Sequence, residues 1–115
     1  MARSDNIRAD IERISTMPDA EFEARWGAWA HKRDRDLSLM RQRWLGDLER
    51  ALPFAEREEA AVAELIAAKV ACTDEPSATN RARKATAVAA VQAARAEERT
   101  GRTTFVAGDA YATGV

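Results

Sequence analysis

The sequence predicts an all-α protein: about four helices forming an elongated bundle or hairpin built on one long helix, followed by an extended C-terminal arm. Three observations predict it. Apolar residues recur at three- and four-residue steps through most of residues 1–100, the period of an amphipathic helix. Only three prolines and five glycines interrupt 115 residues, 32% of which are charged, a balance that fits helices with solvated outer faces. The stretch Asp19–Leu52 holds all three tryptophans and reads as one helix.

Taken in order, the first helix is expected after Ser4, a good N-cap residue, with Ile7, Ile11 and Ile14 on one face. Three β-branched side chains weaken an isolated helix, so this one needs a surface, and the tryptophan face of the next helix is the nearest. Met17-Pro18 stops it, and Pro18 suits the first turn of the second helix.

That second helix is the long one. Phe22, Trp26, Trp29, Leu37, Met40, Trp44, Leu48 and Leu52 fall in steps that share one face. The repeat is close to eleven residues: Phe22, Arg33 and Trp44 share a phase, as do Trp26, Leu37 and Leu48. A stripe of that period imposes no left-handed supercoil. Glu21–Arg25 and Lys32–Asp36 are spaced for i,i+4 ion pairs. At ~1.5 Å per residue the helix would reach roughly 50 Å, against about 35 Å for the diameter of a compact domain of this length. Either it breaks, at Gly27 or Gly46, or the molecule is elongated; elongation is the expectation.

Leu52-Pro53 should end this helix, because the residue before proline is pushed out of the α region. A third helix then runs to about Cys72, with Phe54, Val62, Leu65, Ile66 and Val70 apolar and Glu56, Glu58, Glu59 and Glu64 exposed. Pro76 and Ser77 are start signals for a fourth, from Ala78 to about Arg99, closing at Thr100-Gly101. Its apolar face is mostly alanine, with Val88 and Val91 larger. Its charges oppose its dipole: Arg81, Arg83 and Lys84 come early, Glu97 and Glu98 late. Beyond Gly101, Phe105, Val106 and Tyr111 share no helical phase, which reads as an extended arm. The organisation expected is a helical domain over 1–100 and an arm over 101–115.

A formal net charge of −1 gives no general attraction to nucleic acid or membrane. No run approaches the ~18 apolar residues of a membrane span, and no charged-then-apolar signal peptide opens the chain; a cytoplasmic or virion setting is expected. A single cysteine, Cys72, excludes an internal disulfide. Charge is segregated: residues 53–76 carry two positive and six negative charges, residues 77–115 six positive and three negative. Such halves can pair within one hairpin or between neighbouring copies.

Catalysis needs convergent groups, and the sequence offers few. His31, the single histidine, lies among charged residues and reads as a solvated side chain; Cys72 reads as an inert thiol at a helix end. No His/Cys cluster has metal-ligand spacing, and no phosphate loop or nucleophile elbow occurs. No catalytic residue, cofactor or metal is expected. Trp44-Leu45-Gly46 resembles the Trp-x-Gly signature of small secreted helical-hairpin proteins. That match spans three residues, precedes rather than occupies a turn, and lacks the family's secretion motif, since Tyr111 is followed four residues later by Val115. It assigns no family.

The expected function is therefore non-enzymatic: a structural or assembly protein docking into a larger oligomeric particle, such as a tailed-phage head–tail connector or capsid accessory protein. Its candidate interface is Trp26, Trp29 and Trp44 on the helix face, Arg81, Arg83 and Lys84 at the start of the fourth helix, and Phe105, Val106 and Tyr111 on the arm. Partners would be further copies or neighbouring subunits. The alternative is a small nucleic-acid-binding regulator or packaging factor using the same basic cluster at a helix start.

Overall fold

The computed structural model describes the backbone of residues 2–113 and the side chains of residues 2–101. Four helices account for it: α1 (Arg3–Thr16), α2 (Asp19–Lys32), α3 (Leu37–Asp74) and α4 (Ala78–Thr113), with no strand among the described residues. The all-α class and the number of helices agree with the sequence. The chain divides into two compact units, Met1–Pro53 and Phe54–Val115, and α3 contributes to both.

In Met1–Pro53 the core is Ile14, Met17, Phe22, Ala30 and Met40, with Trp26, Leu37, Trp44, Leu45 and Leu48 packed around it. Helix α1 supplies Ile14, as its need for an apolar surface requires. It starts earlier than expected: Ala2 holds the cap position, and Ser4 lies inside the helix, buried. Met17 ends it in extended conformation (φ −61°, ψ 128°), because Pro18 comes next.

The helix expected over Asp19–Leu52 is two helices, and it breaks at neither glycine. Asp34 takes φ 51°, the left-handed region that aspartate tolerates better than most residues. Around it the Arg35 N–H bonds the Ala30 carbonyl at 2.8 Å and the Asp34 N–H bonds that of His31 at 3.1 Å, the paired closure of a Schellman C-cap. Asp36 then starts α3, its Oδ1 accepting from the Leu39 N–H at 2.8 Å. Such a cap stabilises a helix by about 1 kcal/mol and replaces the ion pair expected with Lys32. Glu21–Arg25 forms, at 3.2 Å. The reversal brings Trp44 back to Phe22 and Trp26, with ring centroids 5.7 and 5.2 Å apart.

Pro53 does not end a helix: α3 continues through it to Asp74. The proline removes one backbone hydrogen bond and costs about 3 kcal/mol in a helix interior. Packing on either side outweighs it, with Leu45 and Leu48 against one core and Ala55 only 1% exposed just beyond.

In Phe54–Val115, α3 and α4 form an antiparallel hairpin around small side chains. Ala55, Ala68, Ala87, Val91 and Ala94 are buried; alanine at the contact allows close approach but buries little area. The Glu75–Ser77 turn is tied at both ends. The Ser77 hydroxyl accepts from the Asn80 N–H at 3.1 Å. The Asn80 amide donates to the Ala71 and Glu75 carbonyls at 3.3 and 2.7 Å, satisfying the last turn of α3.

Gly101 does not stop α4, and the extended arm expected over 101–115 is instead helical backbone to Thr113. A helix already propagating adds residues cheaply, so one glycine costs about 1 kcal/mol without terminating it. The glycine answers a packing need: a Cβ there would stand 2.6 Å from Cζ of Phe54. Gly101→Ala should therefore destabilise the hairpin in the native background. In a Phe54→Ala background it should stabilise by about 0.5–1 kcal/mol, the ordinary helix preference for alanine. Denaturant melts of the four proteins test this; equal signs in both backgrounds would refute the role given to Phe54.

Candidate functional site

The structure separates the three tryptophans, which share one periodic stripe in the sequence. Trp26 and Trp44 belong to the aromatic cluster with Phe22, where Trp26 lies 4.6 Å from Phe22 and edge-on to Trp44 at 85°. Trp29 faces outward, 41% exposed, with the Arg33 guanidinium 4.6 Å above its ring. A cation over an indole is attracted by the ring quadrupole, by about 0.5–1 kcal/mol at an exposed site, so Arg33 favours this orientation of the ring at the surface. Leu39, at 43% exposure, is the other large apolar side chain left open among the described residues of Met1–Pro53.

A shallow cleft of about 250 Å³ opens among Asp19, Phe22, Glu23, Leu37, Ser38 and Arg41. Its cation is already occupied. The Arg41 Nε and Nη2 both donate to the Ile14 carbonyl, at 2.9 and 2.6 Å, and Nη2 also donates to that of Met17. Nη1 donates to Asp19 at 2.9 Å. The guanidinium therefore closes the C-terminus of α1, and the anion it receives is the chain's own Asp19 carboxylate. Arg41 was not among the candidate residues, although one signal marks it: a cation within the apolar stripe, between Leu37 and Trp44.

The basic start of α4 has local employment. Arg83 forms a forked pair with Glu64 across the hairpin, Nε to Oε1 at 2.8 Å and Nη2 to Oε2 at 3.2 Å. Arg81 donates to the Pro76 carbonyl at 3.1 Å. Lys84 is exposed. At the other end Arg57 pairs with Glu97, and Arg95 with Glu58 at 3.2 Å. These cross-helix pairs account for Arg83 and Glu97 standing against the helix dipole. Phe105, Val106 and Tyr111 lie outside the described side chains.

The Arg83 hydrogen bonds hold the Glu64 carboxyl below its ordinary pKa of 4.5, and Glu64 in turn raises Arg83. A depressed folded-state pKa means the pair stabilises the hairpin above the unfolded-state value and is lost as pH falls through the folded one. Both groups are exposed, so salt screens the effect. In a carboxyl NMR titration, Arg83→Gln should raise the Glu64 midpoint towards its ordinary value; an unchanged midpoint would contradict the pairing.

Other chemistry-bearing residues stay apart. His31 is exposed near the end of α2, and Cys72 is a free, half-buried thiol. Among the described residues no three His, Cys, Asp or Glu side chains group to hold a metal, and no helix is long and apolar enough to cross a membrane. What the arrangement offers is surface: an oriented indole on α2, and Ile66 and Val70 on α3, 58% and 56% exposed. Comparison with protein families, characterised proteins and solved structures finds no match for the chain.

Proposed function

We propose that the chain is a non-enzymatic assembly protein that works by contact, docking as a small subunit into a larger oligomeric particle. A tailed-phage virion, with the chain as head–tail connector or capsid accessory protein, is the setting that its size and composition suit best. The observation supporting this reading is Trp29, exposed and oriented by Arg33. Tryptophan is enriched among the few residues that dominate binding energy at protein interfaces, and an indole whose orientation Arg33 already favours loses less freedom on docking. Arg81 and Arg83 serve the hairpin's own turn and ion pair, which weighs against the basic cluster being reserved for phosphates.

Two measurements test the proposal. The native mass of the particle carrying this chain should be unchanged by nuclease; collapse on digestion would favour the nucleic-acid-binding alternative. Trp29→Ala should leave the melt of the isolated protein within about 0.5 kcal/mol, as surface changes do. Incorporation into the particle should fall by about tenfold or more, the cost of a hot-spot residue. Normal incorporation of the variant would remove Trp29 from the docking surface.

A further inference from the structure

The α3–α4 hairpin leaves Ile66 in water and Val62 and Val88 only half covered along one edge. The Glu58–Arg95 pair, at 3.2 Å, marks that edge, while Arg83–Glu64 and Arg57–Glu97 mark the opposite one. Helical spacing from Glu58 carries half-buried Val62 and exposed Ile66 onto the first edge, while Val70 lies about a third of a turn round from Glu58, on the outer face of α3. The same spacing from Arg95 brings Arg81, Lys84, Val88 and Arg99 to it from α4. The α4 row thus sets Val88 among four cations, of which Arg95 pairs with Glu58 of its own chain, and the one acid beside them, Glu98, is buried. The α3 row is apolar at its centre and carries Glu58 and Glu59 at the end remote from the turn.

We propose that this edge is a self-association surface, on which two copies of the chain pack hairpin on hairpin with α3 of each over α4 of the other. Charge selects the occupant and its orientation. A two-fold axis that laid α4 on α4 would set Lys84 against Arg95 and Arg81 against Arg99, and like charges opposed across an interface disfavour it strongly. The two-fold running along the hairpin keeps both turns at one end and sets each α4 row on the second copy's α3 row at the same level. Val88 then meets Val62 and Ile66 of the second copy. Arg95, which already pairs with Glu58 of its own chain, stands level with Glu58 and Glu59 of the second copy, with Arg99 one turn beyond and within reach of Glu59 through its long side chain. Across residues 54–72 and 81–99 the face is about 28 Å long and about 20 Å wide, two helix diameters. Covering it on both copies removes roughly 1,100 Å², close to the lower bound for a specific dimer. The inference goes beyond the docking role of Trp29: it concerns the other unit and a different partner, so either can fail alone.

Sedimentation equilibrium of the full chain, from about 1 to 100 μM, should show a monomer–dimer equilibrium. Ile66→Glu and Val88→Glu should each weaken it by about tenfold or more while helical circular dichroism is kept. Glu59→Arg and Arg99→Glu should each weaken it alone, and an equimolar mixture of the two should dimerise again, because every reversed charge then meets its opposite. This rescue does not depend on the apolar variants folding. A native chain monomeric throughout, a dimer indifferent to Ile66→Glu, or a mixture no better than its components would overturn the proposal. So would self-association that disappears on nuclease treatment, which would assign the cationic row to a nucleic-acid backbone.

Discussion

Replacing Phe22 with alanine is expected to destabilise Met1–Pro53 by about 3–5 kcal/mol, the range for removing a buried aromatic from a packed core. Phe22 is 2% exposed, the largest side chain so fully enclosed among the described residues. Its ring is shared by three neighbours: Trp26 at 4.6 Å, Trp44 at 5.7 Å and the Arg41 guanidinium at 4.9 Å. Truncation removes apolar contact and leaves a cavity at the centre of the cluster formed with Trp26, Trp44 and Met40. The near-ultraviolet dichroism of the Trp26–Trp44 pair should diminish with the stability, because Phe22 holds the two indoles in register. Urea unfolding followed by fluorescence and dichroism measures both. A loss under about 1 kcal/mol would mean that the aromatic cluster is not what holds this unit together.

The second large effect is expected at Arg41. Its side chain is 15% exposed, against 104% for its carboxylate partner Asp19. The exposed ion pair therefore contributes little, and the stabilisation resides in the bonds to the Ile14 and Met17 carbonyls. These carbonyls lie at the end of α1, where no further turn of helix can satisfy them. A hydrogen bond from a charged donor is worth about 1.5–3 kcal/mol, and an abandoned buried acceptor costs more than the mean bond suggests. Arg41→Ala should thus cost about 2–4 kcal/mol, and Asp19→Ala less than about 1 kcal/mol. Arg41→Lys should fall between, keeping the charge but losing the planar fork. Equal losses for Arg41→Ala and Asp19→Ala would place the effect in the ion pair and end this account.

The candidate surface was only partly legible before folding. Periodicity treats Trp26, Trp29 and Trp44 as one stripe, because all three satisfy the same helical spacing. Which of them is covered depends on where α3 returns, and that depends on the turn at Arg33–Asp36. The run from His31 to Asp36 contains no apolar residue and reads equally well as a solvated helix face or as two caps back to back. Ile66 and Val70 read as the buried side of a helix with Val62 and Leu65. A two-helix hairpin covers one stripe on each helix, so the outer part of a broad apolar face stays in water. The opposed-dipole charges of α4 were visible as an anomaly, and the reason for two of them, Arg83 paired with Glu64 and Glu97 with Arg57 across the hairpin, is a tertiary one.

By itself the sequence determined the helical class, the end of α1 at Met17-Pro18, the turn at Pro76-Ser77 and the alanine-rich character of the hairpin contact. These rest on periodicity and on signals confined to a few neighbouring residues, which act the same way wherever the segment finds itself. The tertiary structure alone decided three points. A helix closed at Asp34 despite good helix formers on both sides, another continued through Pro53, and a third passed Gly101. At each, local preferences of about 1–3 kcal/mol compete with packing energies of the same size: the return of Trp44 onto Phe22, the burial of Ala55, and the seating of the Phe54 ring on a glycine. When the two are matched in magnitude, the outcome depends on which side chains meet across space, and spacing along the chain does not contain that information.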